Sequence, residues 1–191
     1  MIAGRMNSLQ LSHHYWGLLL SPADIVIDAT CGNGKDTLAL ARLVPQGLVF
    51  SMDIQHLAVE ETCDYLKKNL DSERQERVVL LHQSHEMLPL IHPVKLIVYN
   101  LGYLPKGDKS ITTMTATTLK SAAQALDLIE EGGAVSIVCY PGHAEGAREE
   151  NALIAYASAL PQEKFTVYFH QHINRKSSAS FLWIVKKSTT R

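Results

Sequence analysis

The sequence predicts an α/β fold: a seven-stranded, mostly parallel sheet with helices on both faces, closed by a C-terminal antiparallel hairpin. Short β-branched runs alternate with longer stretches of helical period, the pattern of a sheet assembled from strand–helix units. Only the polar segment QHINRKSSAS separates the last two strand-like runs, too little chain for a helical crossover, so these two pair antiparallel. With 191 residues, 46% hydrophobic and 19% charged, the chain suits a single globular domain over 1–191, of which 1–22 is a helical cover.

Taken in order, a helix is expected over 9–20, then a strand over 25–28, where IVID is apolar up to its last residue. A glycine-containing loop leads into a helix over 35–44, followed by a strand over 48–53 (LVFSMD) and a helix over 55–70. In that helix Leu57, Cys63, Leu66 and Leu70 mostly repeat at helical spacing and form a stripe that can pack on the sheet. A strand over 78–82 precedes a short helix near 86–91, for which Ser84 is a candidate cap. Strands over 96–100 and 134–140 flank a helix over 115–129, and a helix over 145–160 leads to the closing strands, 165–170 and 181–186. The segment 102–113 is the longest irregular insertion, directly after the fourth strand.

Composition excludes several classes. No apolar run approaches the roughly 20 residues that span a bilayer, and the first residues lack the apolar stretch of a signal peptide, so a cytoplasmic location without membrane association is expected. Cys31, Cys63 and Cys139 form no C-x-x-C pair, and nine histidines include no H-E-x-x-H, so neither a disulfide framework nor a metal site is expected. A net charge of -1 argues against coating nucleic acid by bulk electrostatics and leaves room only for a local basic face.

In a sheet of this kind ligands sit beyond the carboxyl ends of the strands. The first strand ends in DATCGNGKDT. Gly32 and Gly34 permit positive φ and a close approach of backbone to ligand, with the N–H groups of the next helix aimed at the same space. The loop is not a P-loop, because position 29 is not glycine and Asp36 follows Lys35 where Ser or Thr is needed. Nor is it G-x-G-x-x-G, since Thr37 takes the third glycine position. Asp28 would repel a pyrophosphate and suits a cationic sulfonium bearing an α-amino group. Asp53, about 20 residues beyond the glycines, is placed to accept two ribose hydroxyls, making Ile54 and Gln55 neighbours of ribose and adenine. Gln83, Ser84 and His85 follow the third strand, at the adenine edge. Asn100, Leu101, Gly102 and Tyr103, then Pro105, follow the fourth and parallel the D/N-P-P-Y/F pattern of amino-group methyltransferases, in which the amide oxygen accepts from the target amine. Pro141 and Gly142 turn the chain after the fifth strand and bring His143 to the mouth.

Five strand–helix units with a terminal antiparallel hairpin are the arrangement of the Rossmann-like class I methyltransferases that use S-adenosyl-L-methionine (SAM). DATCGNGKDT, NLGYLPKGDK and YPGHAEGAREE, in this order, resemble the bacterial family described as "putative rRNA methylase", from about His14 to the C-terminus. Its characterised members methylate the wobble uridine of tRNA, converting 5-aminomethyl to 5-methylaminomethyl. The resemblance implies SAM contacts at Asp28, Thr30, Cys31, Gly32, Asn33, Gly34 and Asp53, and also at Gln55, Ser84 and His85. It implies that Asn100, Gly102 and Tyr103 face the transferred methyl group and its acceptor, and that His14 covers the site. It further implies tRNA, through its anticodon loop, as partner, and a homodimer. Lys106 stands where the family usually has glycine, and the loop containing Arg175 lacks the family's asparagine- and proline-rich segment; both loops face the substrate. A neutral amine is already nucleophilic, so orientation rather than a strong base is expected to matter. The residues also fit a methyltransferase acting on ribosomal RNA or a small-molecule amine and, in another class, a SAM- or nucleotide-binding module without catalysis.

Overall fold

The computed structural model describes residues 6–104, 111–175 and 177–188. In chain order its elements are α1 (Ser8–Leu19), β1 (Ile25–Asp28), α2 (Lys35–Leu43), β2 (Leu48–Asp53), α3 (His56–Asn69), α4 (Ser72–Gln75), β3 (Val78–His82), β4 (Val94–Asn100), α5 (Thr115–Leu128), β5 (Ile129–Cys139), α6 (Ala144–Ser158), β6 (Phe165–His170) and β7 (Ser180–Lys186). The seven strands form one sheet in the order β3-β2-β1-β4-β5-β7-β6. β1 to β5 pair in parallel, and β7 lies antiparallel between β5 and β6, as the short polar connection requires. Strand order reverses between β1 and β4, which opens a crevice beyond their carboxyl ends.

Strand periodicity divides the core in two. Val26, Leu96 and Val98 point to one face, where they meet Trp16 of α1, Leu40 and Ala41 of α2 and Leu66 of α3. Their neighbours Ile27, Ile97 and Tyr99 point to the other, against Ala122 and Ala125 of α5 and Leu153 of α6. Each large side chain so buried stabilises the fold by about 1.5–3 kcal/mol. α1 starts at a capping box, in which Asn7 accepts from the Gln10 N–H and the Gln10 side chain accepts from the Asn7 N–H. Trp16, buried on this helix, donates from Nε1 to Ser136 Oγ on β5 at 2.8 Å, which docks α1 across the sheet.

Four local expectations are corrected. The helix near 86–91 does not form: Pro89 lacks a backbone donor, and the Glu86 N–H is taken by Ser84 Oγ at 3.1 Å in a turn. The short helix α4, absent from the sequence reading, is capped by Asp71, whose side chain accepts from the Arg74 N–H. β5 begins at Ile129 rather than 134 because Ile129 pairs with Val94, and the chain then bulges before Ala134 resumes pairing at Leu96. In α3 the inward stripe is Ala58, Thr62 and Leu66, four residues apart, while Leu57 remains 50% exposed and Cys63 half-buried. Small residues win there because the helix lies against the first loop: a Cβ on Gly34 would stand 3.0 Å from the Thr62 Cα.

Candidate active site

A cavity of about 670 Å³ opens beyond the carboxyl ends of β1, β2, β4 and β5. Its first wall is backbone. Gly32 (φ 52°) and Gly34 (φ 79°) take left-handed conformations that turn the chain from β1 into α2. The Cys31 N–H donates to the Met52 carbonyl at 2.8 Å and the Gly34 N–H to the Cys31 carbonyl at 2.8 Å, fixing the loop against β2. Asp53 accepts from the Gly32 N–H (3.1 Å) through one carboxylate oxygen and from the Gln55 N–H (2.9 Å) through the other. Each oxygen keeps a further lone pair for a hydroxyl donor. Burial raises the Asp53 pKa, and its backbone N–H partners oppose that shift.

Asp28 is placed differently from expectation. It is wholly buried, does not line the cavity, and accepts from Thr37 Oγ1 at 2.6 Å and the Thr30 N–H at 3.2 Å. Thr37 spends its one proton on Asp28, so Ser51 Oγ, 2.7 Å away, donates to Thr37. Burial first, and then the charge of Asp36, push the Asp28 carboxyl up to about 7. Asp28 therefore braces the loop from beneath. Gly34 is likewise buried against Thr62 rather than lining the cavity. Cys31 lines the wall as a thiol pushed up to about 12 by burial and by Asp28, which removes it as a nucleophile.

Thr30, Asn33, Ile54 and Gln55 border this same end, and Ser84 and His85 form its third side. Ile54 is 58% exposed, an apolar rim that a flat ring can cover. Burial lowers the pKa of His85 and keeps its imidazole neutral, with Nε2 3.4 Å from Thr118 Oγ1.

The opposite end is built from side chains. Asn100, the last residue of β4, donates its backbone N–H to Thr30 Oγ1 at 2.7 Å and its Nδ2 to Asp36 Oδ2 at 3.1 Å. Its Oδ1 is buried without a partner. A buried acceptor left open costs about 1–3 kcal/mol, which a ligand N–H would recover. Gly102 and Tyr103 continue the wall, with Tyr103 44% exposed and its ring centroid 6.0 Å from that of His143. His143 caps α6 by accepting from the Gly146 N–H through Nδ1 at 3.1 Å, so its buried Nε2 is the second open polar atom of the lining. Beneath lies Glu149, 2% exposed, which accepts from Thr113 Oγ1 at 2.8 Å and Thr118 Oγ1 at 2.5 Å. Thr113 Oγ1 also accepts from the Gly102 N–H at 2.9 Å, so a buried acid on α6 holds the loop that carries Tyr103. Burial raises the Glu149 pKa, against the two hydroxyl bonds.

Two expected residues fall elsewhere, and a third is not among the described residues. His14 is exposed on the outer side of α1; His13, one residue earlier, turns inward and bonds Asp36 through Nε2 at 2.7 Å. Arg175 is exposed and outside the lining, to which its loop contributes Ser177. Lys106 lies outside the described residues. Asp36, Tyr140 and Thr113 line the cavity, and none of them was singled out in the sequence. For Asp36 a signal existed: a second acid eight residues after Asp28, in the first turn of a helix that starts at the loop.

The backbone-lined wall with Asp53 suits the ribose and amino-acid parts of SAM, and Asn100, whose buried Oδ1 has no hydrogen-bond partner, lines the same cavity. Comparison with known proteins identifies the family. A family model described as "Putative rRNA methylase" matches residues 49–186. An Arabidopsis thaliana protein named tRNA (mnm(5)s(2)U34)-methyltransferase, chloroplastic, is 36% identical over 194 residues, which span 96% of this chain and 71% of that one. The crystal structure described as a "putative rRNA-methylase" from Clostridium thermocellum is 35% identical with a TM-score of 0.89, covering 96% of this chain and 99% of that one. A "putative methyltransferase" from Streptococcus mutans, solved in complex with SAH, is 30% identical with a TM-score of 0.85 over the same shares. The chain belongs to the "putative rRNA methylase" family and has the class I methyltransferase fold.

Proposed function

We propose that this family member is a SAM-dependent N-methyltransferase acting on the exocyclic amine of 5-aminomethyl-(2-thio)uridine at the tRNA wobble position, giving the 5-methylaminomethyl product. The observation that carries the reading is the buried, partnerless Oδ1 of Asn100 at the end of β4, in a relative of a protein named for that modification. SAM, when bound, supplies an electrophilic methyl group on a positively charged sulfur. The protein's part is positioning. Asp53 holds hydroxyls, the Gly32 turn admits close backbone contact, and Asn100 Oδ1 accepts an N–H of the target amine so that the nitrogen lone pair is aimed rather than free to rotate. Tyr103, half exposed at the mouth, offers an aromatic face to an unstacked base. Because the aminomethyl group projects from C5, a splayed anticodon nucleotide can reach the pocket without opening a duplex. His143 and the exposed Arg175 border the path of that nucleotide in this reading, and Lys106 is assigned to it on sequence alone.

The same reading includes a homodimer, to be checked by sedimentation with and without tRNA. No helix among the described residues is long and apolar enough to cross a membrane. Incubation of the purified protein with SAM and tRNA carrying 5-aminomethyl-2-thiouridine, followed by nucleoside mass spectrometry, tests the function. Conversion of that nucleoside to its methylated form is expected. Methylation only of ribosomal RNA, or only of a small amine, would replace the tRNA assignment.

A further inference from the structure

The proposed acceptor is an alkylamine, and alkylamines such as the lysine side chain have pKa values near 10.4, so at neutral pH it arrives as an ammonium without a free electron pair. Orientation by Asn100 cannot act on a lone pair that is still bonded to a proton. The cavity contains a group for that step which neither the reading above nor the family comparison assigns. Asp36, 6% exposed at the start of α2, lines the cavity with both carboxylate oxygens engaged: Oδ2 accepts from Asn100 Nδ2 at 3.1 Å, and Oδ1 meets His13 Nε2 at 2.7 Å. His13 belongs to α1 and its side chain is 35% exposed, against 8% for that of Asp36. Its ring is tilted against Trp16 with centroids 4.4 Å apart, and Trp16 is anchored to β5. A chain of polar groups thus runs from the buried end of β4 through a carboxylate to a half-exposed imidazole.

We infer that Asp36, braced by the Nε2–H of His13, takes the proton from the substrate ammonium, while its carboxylate holds the Asn100 amide by the nitrogen and leaves Oδ1 for the substrate. The second role follows from valence. An ionised carboxylate only accepts, so the amide must present nitrogen to Asp36, and Oδ1 is what remains for the substrate. In the first role, the N–H bond of the ammonium breaks with its electron pair left on nitrogen. The proton passes to the Asp36 carboxylate and is released to water once the product leaves; His13 Nε2 already carries the hydrogen it donates to Asp36 Oδ1, so it braces that oxygen and takes no proton itself. The freed pair then forms the N–C bond as the C–S bond breaks and its electrons return to sulfur. A methylammonium, a neutral thioether and one proton in solvent result, so charge and atoms balance. The charged and titratable groups facing Asp36 are His13 from α1, Asp28 beneath the loop, Tyr140 after β5, and Lys35 beside it on α2.

This inference rests on the methyl acceptor being the amine proposed above, and its test separates the two. Single-turnover rates with SAM and tRNA carrying 5-aminomethyl-2-thiouridine are measured across pH for the wild type, Asp36→Asn and His13→Gln, with SAM affinity measured by calorimetry. Asp36→Asn keeps an oxygen to accept from Asn100 Nδ2 but can no longer take a proton. It should lose about a hundredfold in rate at neutral pH, with SAM affinity unchanged. The deficit should shrink as pH rises toward the amine's own pKa, where substrate arrives already neutral. His13→Gln, on a half-exposed position, should show a smaller deficit with the same pH rescue. A deficit of equal size at every pH, or no deficit, overturns the inference while leaving the proposed function intact. A wild type that transfers nothing to this amine overturns both.

Discussion

Between Thr30 and Asp53 the cavity wall is backbone turned by two left-handed glycines and tied to one carboxylate, all within a single strand–helix–strand unit. Between Asn100 and His143 it is a set of side chains from α1, α2, β4 and the segments before α5 and α6, tied together by Asp36 and, from beneath, by Glu149. The first region gains its shape from local conformation, so it can receive a common donor in any protein that copies the loop. The second depends on elements far apart in the chain, and there the choice of acceptor can be altered without disturbing the first.

This contrast can be broken at several points. The largest effect is expected from Asp28→Asn in the ligand-free protein. An acid raised from an ordinary 3.8 to about 7 keeps its proton in the fold after the unfolded chain has released it. Wild-type stability should therefore fall as pH rises through that window and level off above it. Through linkage, Asp28 lowers stability by up to about 4 kcal/mol once pH exceeds its folded-state pKa. Asp53 and Glu149 act in the same direction, and His85, lowered by burial, acts oppositely as pH falls below 6.5. Asp28→Asn should flatten the slope in urea titrations between pH 4 and 7.5; an unchanged slope would mean that Asp28 is not held protonated by its burial. A somewhat smaller effect is expected from Asp53→Ala, which removes two acceptor oxygens from the backbone-built end. SAM affinity by calorimetry should fall about a hundredfold, while tRNA affinity stays within about threefold. Loss of both affinities together would show that the two ends are not independent.

The same contrast explains what could be read from sequence. Seven strands, the closing hairpin, the glycine turn and the positions of Asp53 and Asn100 follow from periodicity and from the rule that strand ends carry the site, and all are found where local pattern places them. Pattern could not tell His13 from His14, because which of two adjacent helical residues faces inward depends on how α1 docks through Trp16. Nor could it show that Asp28 turns under the loop while Asp36 faces the cavity, a choice made by Thr37 and Ser51 from two other elements. The stripe through Leu57 and Cys63 failed because hydrophobicity was weighed without size. The first loop admits only Ala58 and Thr62 at that distance. Glu149, a buried acid beside the exposed Arg148 and the half-buried Glu150 on α6, gives no signal until Thr113 and Thr118 are brought to it.

The most direct test of the account is Asn100→Ala, measured twice on the same preparation. SAM affinity by calorimetry should stay within about threefold of wild type, while single-turnover methylation of 5-aminomethyl-2-thiouridine in tRNA falls by about a hundredfold or more. Turnover equal to wild type would contradict the assignment of Asn100 Oδ1 as the atom that aims the amine.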